Sequence, residues 1–258
     1  MTTPRLDTRD RLRVWLWSLG LQGSWNPQRM QNLGLLATLV AWRSRRPHDL
    51  EDDRHFCRRY YEFFNTNPYL ANFLVGGLIH LEQQAAAGQT PPPGLIRMFR
   101  DSLGRALASL GDQLFWMGLR PAFTLALCLL GLIGWWWAAL GLVVCFAAGQ
   151  LVLRWISLEQ GLRLGMDLVD VVSARGWHRA VALVRRSGMI LAGALGGLYV
   201  LRLQDVAASV DASLLIMGAA FGMVVPLVLR RRLPGEFLML LAFGLALALT
   251  FAIPESGG

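Results

Sequence analysis

The stretch AFTLALCLLGLIGWWWAALGLVVCFAAG, residues 122–149, contains no charged side chain. A straight helical crossing of a bilayer takes roughly 20 apolar residues, so this run is either one generous crossing or a tight re-entrant pair. Trp135, Trp136 and Trp137 lie in its middle. Indole rings prefer the headgroup level of a membrane, so the triplet marks an interface or the tip of a hairpin better than it marks the bilayer centre. Arginine at both flanks, Arg120 before and Arg175 after, places both ends on one side and favours the hairpin.

The rest of the composition agrees with membrane burial. Of the 258 residues 54% are hydrophobic and 16% charged, and the mean hydropathy is +0.42, more apolar than a soluble interior requires. The formal charge is +8 and every basic residue is arginine. These arginines sit at the edges of apolar segments, where an anionic leaflet and the positive-inside rule account for them, so a nucleic-acid partner is not expected. Cys57, Cys128 and Cys145 are too scattered for a disulfide framework. His48, His55 and Cys57 match no zinc spacing and neighbour Arg58 and Arg59, so no metal site and no cofactor are expected. The opening MTTPRLDTRDRLR lacks the form of a cleavable signal peptide, which suggests a cytoplasmic N-terminus.

Read from the N-terminus, residues 1–82 form an amphipathic helical region with polar turns. Leu12, Trp15, Leu16 and Leu19 recur at helical spacing with arginines on the other face, as in a helix lying at a membrane surface. Gly23 to Pro27 breaks that helix, and a second one is expected from Arg29. Residues 83–94 (QQAAAGQTPPPG) read as a linker. Residues 95–186 hold an amphipathic helix, a polar block around Trp116, the apolar run and further amphipathic helices. Residues 187–258 hold C-terminal transmembrane helices at 188–201, 214–229 and 237–253. Arginines at 175, 179, 185 and 186 and at 230–232 orient these spans, with the C-terminus periplasmic or exterior. The fold class is therefore an all-α integral membrane protein, with amphipathic and re-entrant helices in its N-terminal part and short transmembrane helices in its C-terminal part.

No nucleophile and base set, phosphate-binding glycine loop or metal box is legible, so no catalytic residue is expected. Three polar clusters stand against apolar helices instead, where a membrane protein would hold a polar substrate. The first is Gln22, Ser24, Trp25 and Asn26 with Arg29, Gln31 and Asn32. Capping of a helix-turn-helix by Ser24 or Asn26 explains only part of it, and amides beside an indole also suit a sugar. The second is Asn65, Thr66, Asn67 and Pro68, which reads as a turn or a capped helix start. The third is Gly111 and Asp112 with Trp116 and Arg120. Asp112 either caps a helix or, with Trp116 and Arg120, fixes a loop by a charge pair or hydrogen bonds.

LQGSWNPQRMQNLG (residues 21–34), EFFNTNPYLANFLVGG (62–77), LGDQLFWMGLRP (110–121) and GLRLGMDLV (161–169) resemble, in order, the signature blocks of the IID proteins of the mannose/fructose/sorbose-type sugar phosphotransferase system. The resemblance implies a subunit that pairs with a IIC membrane subunit to translocate a hexose-type sugar. Phosphorylation would come from a separate cytoplasmic IIB protein supplied by IIA. Arg105, Ala106, Ser109 and Gln113 depart from that pattern, where Gly, Pro, Gly and Ser are expected, and Asn67 stands where His is frequent. Replacing glycines stiffens the backbone, which leaves two readings: a sugar permease subunit of divergent specificity, or a membrane regulatory or interaction protein that keeps the IID fold without transport.

Overall fold

The computed structural model describes residues 6–46, 49–89 and 94–206. The chain divides into two units, residues 1–195 and 196–258. Within the second, the described residues, 196–206, are helical. The spans expected at 214–229 and 237–253 lie outside the described residues.

Among the described residues every named element is helical, and β-type pairing is limited to the isolated bridges Asn26 with Met30 and Met30 with Phe64. Helix α1 (Thr8–Leu19) is capped by the Asp7 side chain, which accepts from the Asp10 amide at 2.6 Å. It buries Asp10, Val14 and Ser18 and leaves Leu12, Leu16, Trp17 and Leu19 exposed. Its outward face carries these apolar side chains together with the exposed Arg9 and Arg13, so the apolar and arginine faces expected from the spacing are not separated. Helix α2 (Asn32–Arg43) begins later than the sequence suggested, because the residues before it are committed to a turn described below.

Helix α3 (Leu50–Tyr60) opens on Asp49, whose carboxylate accepts from the Asp52 amide at 2.8 Å. Acidic residues in its first turn and Arg58 and Arg59 in its last complement the helix dipole. Tyr60 is fully buried and donates to Glu82 at 2.6 Å, and Arg59 binds the same oxygen. Burial, reinforced by the Glu82 charge, raises the Tyr60 hydroxyl well above its ordinary value.

Helix α4 (Ala71–Ala86) is the centre of the unit, with nearly every residue from Ala71 to Gln83 buried by protein. It continues through Ala86, so the start of the expected linker is helical, as its run of alanines favours. The proline triplet, residues 91–93, lies outside the described residues. Helix α7 (Trp136–Leu164) crosses α4 at backbone contact. A Cβ added at Gly76 would meet the Leu158 carbonyl oxygen, and one at Gly161 the Phe73 carbonyl oxygen. Only glycine at both positions permits this approach.

Helix α5 (Leu95–Gly111), a π-helical segment (Asp112–Leu119) and α6 (Arg120–Leu132) form one continuous helix, Leu95–Leu132. The loop expected around Trp116 is therefore not a loop. Proline within an α-helix crowds the preceding turn and removes a hydrogen bond, and the wider π-helical turn ahead of Pro121 lets the helix continue through it. The chain reverses at residues 133–135, where Gly134 has φ +80°, and α7 follows. The apolar run is thereby divided between α6 and α7, with Trp135, Trp136 and Trp137 at the turn, 64%, 70% and 86% exposed. A short 3-10 turn (Gly165–Asp167) and α8 (Leu168–Val172) lead to α9 (Arg175–Val206). Leu95–Leu132, Trp136–Val172 and Arg175–Tyr199 are each long and apolar enough to cross a membrane.

Candidate functional site

The first two signature blocks are stitched together by backbone and amide hydrogen bonds. Asn26 and Met30 exchange backbone bonds at 3.1 and 2.8 Å, closing a tight turn in which Met30 adopts φ +55°. The turn is locked by Asn26, whose side-chain oxygen accepts from the Arg29 amide at 2.8 Å. Beyond the turn the chain pairs with the second block: the Gln31 amide donates to the Phe64 carbonyl at 2.9 Å, and the Phe64 amide to the Arg29 carbonyl at 3.3 Å.

Side chains extend that pairing. Gln31, itself buried, donates through Nε2 to the Thr66 carbonyl at 2.9 Å and accepts from the Thr66 amide through Oε1 at 3.1 Å. Asn32 donates to the Tyr61 carbonyl at 3.0 Å and accepts from the Asn26 side chain at 3.3 Å. Arg29 donates to the same Tyr61 carbonyl at 3.1 Å, and its guanidinium lies over the Tyr61 ring, 4.3 Å from the centroid.

The second block in turn holds the third. Thr66 donates from its hydroxyl to the Gly104 carbonyl at 3.0 Å. Asn67 donates to Asp112 at 3.2 Å and accepts from the Tyr69 amide at 3.1 Å. Gly111 is in contact with the Asn67 side chain, and a Cβ there would occupy the space of the Asn67 Cβ and Cγ. Pro68 is buried behind the turn. Tyr69 stacks on Phe115 with ring centroids 4.5 Å apart. Arg120 donates to the Tyr69 hydroxyl at 2.8 Å and lies 4.0 Å from the centroid of the Trp116 ring.

Of the two expected arrangements, it is separate hydrogen bonds and not an Asp112 to Arg120 charge pair that hold this block. Both residues sit on one rigid helix, two turns apart, and each finds its partner in the second block. Gln22, Ser24 and Trp25 also depart from the crowded cluster anticipated for them: all three are exposed, Trp25 at 51%. Of the first cluster Gln31 takes part with Asn26, Arg29 and Asn32, and Tyr61 and Tyr69 join the site. Arg154 joins as well, donating to the Ser18 carbonyl at 3.2 Å and lying 5.6 Å from the Tyr69 ring centroid. Its signal in the sequence was that it is the first charge after Arg120. Among the described residues no group of three or more His, Cys, Asp or Glu side chains is placed to hold a metal ion.

The profile of the PTS system mannose/fructose/sorbose family IID component matches residues 5–229. The chain belongs to this family. The IID sequence is 31% identical over 195 residues to the mannose-specific EIID component of Escherichia coli strain K12, covering 75% of this chain and 69% of that one. It is 29% identical over 186 residues to the sorbose-specific EIID component of Lacticaseibacillus casei, covering 72% and 66%. Among solved structures, one described as a membrane protein superposes with a TM-score of 0.70 at 25% identity, over 95% of this chain and 97% of that one. The mannose transporter ManYZ, solved with microcin E492, superposes with a TM-score of 0.55 at 24% identity, over 95% and 96%, which is a likeness of fold. This IID component is an all-helical membrane protein of the sugar phosphotransferase system.

Proposed function

We propose that this IID component pairs with a IIC subunit to carry a hexose-type sugar across the cell membrane, for phosphorylation by a separate cytoplasmic IIB protein supplied by IIA. The observation that carries this reading is the joining of the three polar signature blocks into one hydrogen-bonded unit at the base of a long apolar helix. Polar groups are tolerated beside lipid when they face protein or a polar path. Asn67, Asp112, Trp116 and Arg120 offer an amide, a carboxylate, an indole and a guanidinium, groups suited to line such a path beside the partner's sugar site. Asn26, Arg29, Asn32 and Thr66 hold that lining in place. Arginine-rich segments around α1 to α3 and at the start of α9 favour a cytoplasmic N-terminus, with the C-terminus exterior.

The test is uptake of labelled hexoses by a transport-null host producing this chain with its IIC and IIB partners. Accumulation of phosphorylated sugar is expected, and its loss when this chain is omitted. Absence of uptake from an assembled complex would remove transport from the account.

A further inference from the structure

A cleft of about 200 Å³ opens between the Phe63 to Asn65 stretch and helix α5. Its wall carries three guanidiniums, Arg97, Arg100 and Arg105, against two carboxylates, Glu62 and Asp101. Arg100 is buried and holds both carboxylates, at 2.7 Å to Glu62 and 2.8 Å to Asp101, and Arg97 reaches Glu62 at 3.2 Å. Arg105 is exposed and forms no ion pair with a described carboxylate, while Asp101, one turn away, pairs with Arg97 and Arg100. Asn65 is exposed too, and its side-chain amide has no hydrogen-bond partner among the described residues. Phe63 is 57% exposed at the same cleft.

Those three groups are complementary to one class of ligand. An uncompensated guanidinium selects an oxyanion, above all a phosphate, which it binds with paired N–H groups. A free carboxamide supplies a donor and an acceptor for hydroxyls, and an aromatic face covers the apolar face of a sugar ring. The volume is below the roughly 300 Å³ at which pockets for drug-sized molecules begin, which suits a monosaccharide-sized group rather than a nucleotide or a folded peptide. Helix Leu95–Leu132 is about 57 Å long at 1.5 Å per residue. It outruns the roughly 30 Å hydrocarbon core, so its charged first turns stand clear of the apolar layer.

We infer that this cleft binds a phosphorylated monosaccharide, with Arg105 on the phosphate and Asn65 and Phe63 on the sugar. The inference rests on the phosphotransferase reading and assigns a place on this chain where the phosphorylated product can be held.

The full chain in neutral-lipid nanodiscs would be titrated with mannose 6-phosphate, mannose and inorganic phosphate. Mannose 6-phosphate is expected to bind at least ten-fold more tightly than either of the others. Arg105→Gln should remove ten-fold or more of that affinity, and Asn65→Ala should narrow the preference over inorganic phosphate. Equal binding of phosphate and sugar phosphate would overturn the inference, as would binding indifferent to Arg105→Gln. Displacement by anionic lipid of a ligand that mannose 6-phosphate does not displace would show a lipid headgroup to be the occupant, and would overturn it as well. Should a variant fail to fold, amide exchange on the unaltered chain decides: protection of residues 63–65 and 97–105 by mannose 6-phosphate supports the site, and its absence refutes it. Hexose uptake without sugar-phosphate binding sinks this inference alone. Binding that depends on Arg105, in a complex without uptake, sinks the transport reading alone.

Discussion

Gln31 does with one side chain what a neighbouring strand does with its backbone, donating to and accepting from the same residue, Thr66. Thr66 is buried, so removing the amide leaves its N–H and C=O without partners. Each stranded buried group costs about 1–3 kcal/mol. Gln31→Ala is therefore expected to destabilise the protein by at least about 2 kcal/mol, read as a lower midpoint of thermal unfolding in detergent. A change under about 0.5 kcal/mol, the usual range of a surface substitution, would show that the pairing does not hold the two blocks. At this scale the sequence revealed which residues matter better than it revealed their partners. Asn26, Asn32, Asn67 and Asp112 were legible as polar groups out of place beside apolar helices, but a pairing such as Asn67 with Asp112 spans 45 positions. No local pattern encodes a contact of that separation.

Among the elements, α4 depends most on its neighbour. Where it meets α7 the backbones touch through Gly76 and Gly161, and overfilling a packed contact costs about 1–3 kcal/mol even where the surroundings can yield. Backbone atoms face each other here, so Gly161→Leu is expected to reach or exceed the upper end of that range. Loss of folded protein in size-exclusion chromatography would report it. A variant as abundant and as heat-stable as the parent would mean that α7 can shift away without consequence. The helical nature of most elements was legible from spacing and hydropathy, because α1, α3 and the apolar run follow simple rules. The π-helical segment was not. Asp112, Gly118 and Pro121 look like the residues of a loop, and it is packing against the second block that keeps this stretch helical. The helical end of α4 was missed for a related reason, since Gln83 and Gln84 resemble linker residues until Gln83 is seen buried.

For the first unit as a whole, the sequence placed the apolar run and pointed to a hairpin tip at its tryptophans, where the turn lies. The three indoles at residues 135–137 stand at the end of a helical hairpin whose nearest charges are Arg120 and Arg154. With α6 and α7 in a bilayer, those charges belong at one face and the indoles toward the other. In a chain whose other tryptophans are replaced by phenylalanine, brominated lipids are expected to quench the triplet most strongly with bromines near the headgroups. Strongest quenching at the acyl-chain ends would place the turn in mid-bilayer and contradict a full crossing.

The unbroken helix Leu95–Leu132 also has a mechanical consequence. A stiff rod acts as a lever: pivoting it by about 10° where Asn67 holds Asp112, about 30 Å from its far end, would sweep that end through about 5 Å. Any small adjustment where Thr66 and Asn67 grip that rod would arrive, magnified, at the opposite surface of the bilayer.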